Sequence, residues 1–170
     1  MHSQKNKPGI ASLGDLLEAL SEAGIEFVLV GGLAAVIQGA PVTTMDADIV
    51  HHQTKENIKN LLAFLKSADT CYRRPDDKII EPDEQALSAK GHVLLSTCYG
   101  PLDVLAIIEK GRGYEELVSD SAEIKFRGYK IRVLNLEKMI ELKRGSKDPN
   151  DLYRLPILEE TLRRTYDKNT

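Results

Sequence analysis

The chain has 170 residues, of which 42% are apolar and 29% charged, and its 23 basic and 26 acidic side chains leave a formal charge of −3. That size and composition fit one globular domain and exclude a disordered or collagen-like chain. The acidic balance argues against a dedicated duplex-DNA binder, and no apolar run reaches the ~18 residues that a bilayer span needs.

The polar start, Met1 to Lys7, lacks the apolar stretch of a secretory signal, and residues 1–11 read as a flexible tail interrupted by Pro8-Gly9. Cys71 and Cys98 show neither disulfide-scaffold nor metal-ligand spacing, which points to reduced thiols and a cytoplasmic protein. From Ser12, taken as N-cap, the spacing of Leu13, Leu16, Leu17 and Leu20 predicts a helix closed by Gly24. Ile25–Val30 is rich in β-branched residues and predicts a buried strand that stops at Gly31-Gly32. A short helix is expected over Leu33–Gln38. Asp46–Val50 alternates polar with apolar and predicts a strand with one wet face.

Thr54 starts a helix with Ile58, Leu61, Leu62 and Leu65 as its apolar stripe. Tyr72–Pro82 reads as a solvated loop containing Arg73-Arg74. Two strands, Val93–Cys98 and Leu102–Ile108, flank a turn at Tyr99-Gly100-Pro101. A short helix over Tyr114–Val118 follows, then a hairpin about Arg127-Gly128. Asn135 and Asp148 cap two C-terminal helices, with Pro149 at the position that tolerates proline and Pro156 expected to kink or divide the second. The order predicts an α/β fold, a mixed β-sheet flanked by helices, because the hairpins force antiparallel pairs. Residues 12–134 form its core and 135–170 a C-terminal helical segment packed on it.

Chemistry concentrates in a few residues. Asp46 and Asp48, two apart on a strand, point to one face about 6.5–7 Å apart along the backbone. Two such carboxylates repel unless water or a cation sits between them, and hard oxygen ligands suit Mg²⁺ or Mn²⁺. Gly31-Gly32 between a strand and a helix lets backbone N–H groups approach an anion. No Walker pattern and no Gly-x-Gly-x-x-Gly occurs. His51 and His52 face opposite sides of a strand and read as surface or edge residues. Tyr114, Tyr129 and Tyr153 form no stacking pattern, and aromatics total 5%, so interleaved basic–aromatic recognition of single strands is not supported.

Val30-Gly31-Gly32, thirteen further residues and Asp46-Ala47-Asp48-Ile49 together resemble the polymerase-β-like nucleotidyltransferase superfamily. The whole stretch Gly31–Asp48 is similar to its small bacterial branch of minimal nucleotidyltransferases and abortive-infection-type toxins. The resemblance implies a third acid on a later strand, which Asp103 in Gly100–Leu105 supplies. It extends to Val133–Leu152, where a Lys and a following Lys-Asp pair recur. It further implies transfer of an NMP from an NTP to an acceptor hydroxyl with release of pyrophosphate. In that scheme Asp46, Asp48 and Asp103 are metal ligands and catalytic residues, Gly31 and Gly32 cradle phosphates, and Lys143, then Lys147, meet the triphosphate charge. Gly32 stands where many relatives have Ser, Leu33 where some have Ser or Thr, and Val42 where many have Arg. The acceptor stays open among a small molecule, a protein and tRNA, as does a toxin–antitoxin role. Two alternatives remain: a nucleotide-binding module of this fold without turnover, and an α/β interaction domain whose acidic cluster is accidental.

Overall fold

Helix α1, Ile10–Glu22, buries Leu13, Leu16, Leu17 and Leu20 along one face, as their spacing requires. The computed structural model describes residues 10–170, so the expected tail lies, up to residue 9, outside the described residues. Helix α1 starts at Ile10, so Ser12 lies inside it and not ahead of it, where the N-cap reading puts it. Gly24 closes the helix at φ +70°, with its N–H on Ser21 and that of Ile25 on Leu20.

Strand β1, Phe27–Val30, is buried throughout and passes directly into α2, Gly31–Ile37, so the two glycines form the first turn of a helix and not a loop before one. Strand β2, Ala47–His51, follows; then come α3, Lys55–Ser67, capped by Thr54, and the two-residue strand β3, Cys71–Tyr72. A one-turn helix α4, Glu84–Ser88, follows the irregular segment after β3. Its Asp83 cap accepts from Ala86 N–H, but five residues are too few to show a period in the sequence.

Strands β4, His92–Thr97, and β5, Gly100–Leu105, turn at Cys98-Tyr99, one residue earlier than the Pro101 signal indicates. The chain then breaks at Ala106 into a small hairpin of β6, Ile107–Ile108, and β7, Arg112–Gly113, around a 3-10 turn at Glu109–Gly111. Helix α5, Tyr114–Val118, leads into β8, Ser121–Phe126, and β9, Tyr129–Leu134. Arg127 and Gly128 join those two strands with φ +49° and +86°, the left-handed pair that a tight hairpin needs. Helices α6, Leu136–Lys143, and α7, Pro149–Lys168, complete the chain, capped by Asn135 and Asp148. Pro156 does not divide α7. The carbonyl it leaves without a helical donor belongs to Leu152, an exposed residue.

Seven strands form one mixed sheet in the order β3-β4-β5-β2-β1-β9-β8, flanked by the helices. Strand β2 therefore sits at the centre, parallel to β5 and antiparallel to β1. Ala47, Ile49 and Val50 are buried on its two faces, so the expected wet face is limited to Asp48. His51 is buried too, at 2% exposure, which overturns its reading as a surface residue. Its ring nitrogens lie 3.1 Å from the Leu105 carbonyl and 2.7 Å from that of Leu87, tying β2 to β5 and α4. Among the described residues no helix is long and apolar enough to cross a membrane.

Candidate active site

Strand pairing brings the acids together. Asp48 on β2 lies directly across from Asp103 on the parallel β5, so both side chains leave the same face of the sheet. Asp46 stands in the bend just ahead of β2, two residues from Asp48 and on the same side. Thr44 shapes that bend by donating its hydroxyl to the Asp46 carbonyl at 3.0 Å. One carboxylate oxygen from each of Asp46, Asp48 and Asp103 lies within 4.8 Å of the others.

The cost of this arrangement falls on protonation. Burial, then the charges of Asp46 and Asp103, pushes the Asp48 carboxyl up to about 8. Burial and the charge of Asp103 also raise Asp46, against the opposing pull of Arg73 and Arg154. Three clustered hard oxygen donors, of which Asp46 and Asp48 resist ionisation, fit a divalent cation of the Mg²⁺ or Mn²⁺ type.

Gly31 is fixed by contact as well as by backbone. Val30 pairs with Asp48, and Gly31 follows at φ +70°, where a Cβ would overlap the Asp48 carboxylate. A Cβ on Gly32 would stand 3.0 Å from the Thr44 side chain and 3.2 Å from the Arg154 guanidinium. The first turn of α2 carries no side-chain cap, so its N–H groups are free to face an anion.

Behind Asp48 a cavity of about 150 Å³ is walled by Val30, Gly31, Leu134 and Met139 and ends at Lys143. The Lys143 ammonium lies 2.8 Å from Asp151 and 3.7 Å from Glu109. Burial works against ionisation of Asp151, but hydrogen bonds from Lys143 and Ser146 outweigh it and hold the carboxyl below its ordinary range. Lys147 is exposed in the turn between α6 and α7, without an ion-pair partner among the described residues. The structure thus brings Asp46, Asp48, Asp103, Gly31 and Gly32 into one cluster with Lys143 across the cavity, and leaves Lys147 outside it.

Two cations escaped the sequence reading. Arg73, read as part of a solvated loop, donates from Nη2 to Asp103 Oδ1 at 2.5 Å. Arg154 reaches from α7 to the Thr43 carbonyl at 3.1 Å and acts electrostatically on Asp46 and Asp48. It brings a guanidinium beside the loop that carries Val42. Its place three residues after Asp151, on one helical face, is the signal that points to it.

The sequence matches no protein-family model and no curated protein. Its fold does have counterparts among solved structures. The lincosamide antibiotic adenylyltransferase LnuA, bound to lincomycin, superposes with a TM-score of 0.62 at 14% identity over 92% of this chain and 99% of that one. The fold is that of the nucleotidyltransferases. ANT(2″)-Ia in complex with adenylyl-2″-tobramycin gives 0.55 at 15% identity, over 89% and 88% of the two chains. An antigenic nucleotidyltransferase-like protein from Paracoccidioides brasiliensis gives 0.54 at 16%, over 90% and 78%.

Proposed function

We propose that this chain is a metal-dependent nucleotidyltransferase that moves an NMP from an NTP to an acceptor hydroxyl and releases pyrophosphate. One observation carries the reading: the carboxylates of Asp46, Asp48 and Asp103 converge within 4.8 Å beside the uncapped first turn of α2. Asp46, Asp48 and Asp103 would hold Mg²⁺ or Mn²⁺, which when bound neutralises triphosphate charge and stabilises the attacking and leaving oxygens.

The rest is done by the chain's own groups. The Gly31 and Gly32 N–H groups cradle the β,γ-phosphates, and Lys143 balances their charge. Arg154 adds a donor fork on the side where Val42 offers none. The acceptor oxygen attacks the α-phosphorus, the bond from that phosphorus to the bridging oxygen breaks, and pyrophosphate leaves. Asp103 orients the acceptor hydroxyl and takes its proton. Catalysis of this kind is mostly positioning and charge stabilisation.

Among the open acceptors, a small-molecule hydroxyl is favoured by neighbours whose structures hold lincomycin and an adenylylated tobramycin. A toxin role rests on the sequence resemblance, and label on tRNA or protein would support it. The test is incubation with each α-³²P-labelled NTP, Mg²⁺ or Mn²⁺, and a mixture of small-molecule, RNA and protein acceptors, beside Asp46→Asn/Asp48→Asn. Label transferred by wild type alone, with stoichiometric pyrophosphate, supports the reading; label in both or in neither refutes it. Stoichiometric nucleotide binding without transfer assigns the chain to the binding-module alternative.

A further inference from the structure

Arg73 is, among the described residues, the one cation in direct ion pair with a member of the acidic cluster. Its place is set by the sheet. Tyr72 on β3 pairs with Leu95 on β4, and the Arg73 N–H continues that ladder to the Leu94 carbonyl at 2.9 Å. Leu94 pairs with Asp103, and Asp103 with Asp48, so Arg73, just past the end of β3, extends a row that Leu94, Asp103 and Asp48 form across β4, β5 and β2. Leu94 stands between Arg73 and Asp103 in the row, and the arginine side chain reaches past it to the acid beyond. Its Nη1 is anchored on the Leu95 carbonyl at 3.3 Å while Nη2 takes Asp103 Oδ1. The pair is shielded, with the side chains 32% and 15% exposed, so solvent screens it less than a surface ion pair.

We propose that Arg73 is a positioning residue that latches Asp103 in the metal-free site and competes with the divalent cation for that carboxylate. The proposal rests on the metal reading given above. A divalent ion at Asp103 and a guanidinium on the same carboxylate place positive charges side by side in a partly dry site, so each weakens the other. The latch keeps Asp103 oriented on the sheet face in the absence of metal and raises the concentration of ion needed to load the site.

Binding of Mn²⁺ alone, followed by the EPR signal of the free ion, tests this without turnover. Arg73→Gln is expected to bind Mn²⁺ about tenfold more tightly than wild type, the size of one lost charge-assisted hydrogen bond. Arg73→Lys, which keeps the charge but not the fork, should fall between them. Arg154→Gln removes an equal charge beside Asp46 and Asp48 without freeing Asp103, and should change affinity by about threefold or less. In an Asp103→Asn background the Arg73→Gln effect should vanish. If wild type binds Mn²⁺ while Arg73→Gln binds equally or more weakly, or no better than Arg154→Gln, the latch is refuted and the metal site stands. Absence of Mn²⁺ binding in wild type and in every variant overturns both.

Discussion

Replacing Asp48 by Asn isolates the electrostatic cost of the acidic cluster. In the unfolded chain an aspartate ionises near 3.8, whereas the folded site pushes Asp48 up to about 8. Between pH 5 and 7 the folded state of the metal-free protein therefore holds one proton that the unfolded state has lost. A group raised on folding adds no penalty below its unfolded pKa, and stability falls as pH climbs toward the folded value. The slope for one proton is about 1.4 kcal/mol per pH unit, so two units give a ceiling of about 3 kcal/mol. After burial, the charges of Asp46 and Asp103 contribute to that rise, and a loss of about 1–3 kcal/mol is expected.

Asn cannot ionise, so Asp48→Asn escapes the loss, and the gap between variant and wild type should widen from pH 5 to pH 7. For a chain of this size the widening corresponds to roughly 3–10 °C in melting temperature. Thermal unfolding in EDTA at three pH values measures it. Any packing effect of the substitution is the same at each pH, so the widening alone carries the argument. Mn²⁺ should then stabilise wild type more than Asp48→Asn, and more at pH 7 than at pH 5, because at lower pH the ion must displace a proton. A gap that stays constant with pH, or narrows, refutes the reasoning.

Gly31→Ala should cost about 2–4 kcal/mol in urea unfolding, since Gly31 combines φ +70° with overlap onto Asp48. Gly24→Ala, at the same φ but with open space around it, should cost about 1–2 kcal/mol, and the difference measures the overlap. Asn57→Ala removes a buried amide that accepts from Glu26 N–H and donates to the carbonyls of Glu26 and His52; a loss of about 2–4 kcal/mol is expected by the same assay. Lys143→Met should raise the KM for NTP about tenfold with a smaller effect on kcat, as read from pyrophosphate release.

Features set by neighbouring residues were legible in the sequence. Thr54, Asn135 and Asp148 each cap a helix by accepting a backbone N–H within the next three residues, and Arg127-Gly128 takes its left-handed turn from local sterics. Strand period suggests the Asp46–Asp48 pair, although Asp46 stands in the bend just ahead of β2 and only Asp48 lies in the strand, and Asp103 was reached only through family resemblance. What depended on strand order was not legible. His51 reads as an edge residue until β2 is known to be central, and the polar–apolar alternation of its strand came from two aspartates rather than from a wet sheet face. Arg73 lies thirty residues from Asp103, and only the order β3-β4-β5 puts the two in one row.

The central position of β2 explains how the fold tolerates repelling acids there. One end of the strand carries Asp46 and Asp48 and opposes its own neighbours electrostatically. The other end is held by buried polar contacts: His51 to the Leu87 and Leu105 carbonyls, and Asn57 to the backbone of Glu26 and His52. The His52 ring is stacked on Tyr114 with centroids 4.3 Å apart and bonded to Glu26 at 2.8 Å. Ladders to β1 and β5 run between the two ends, so a one-residue register slip would break these contacts and carry Asp48 onto the face where Ala47 and Ile49 are buried. The carboxylates are therefore left with protonation, the Arg73 ion pair or a bound cation as ways to lower their repulsion, which is the condition a site needs if cation binding is to be favourable without moving the backbone.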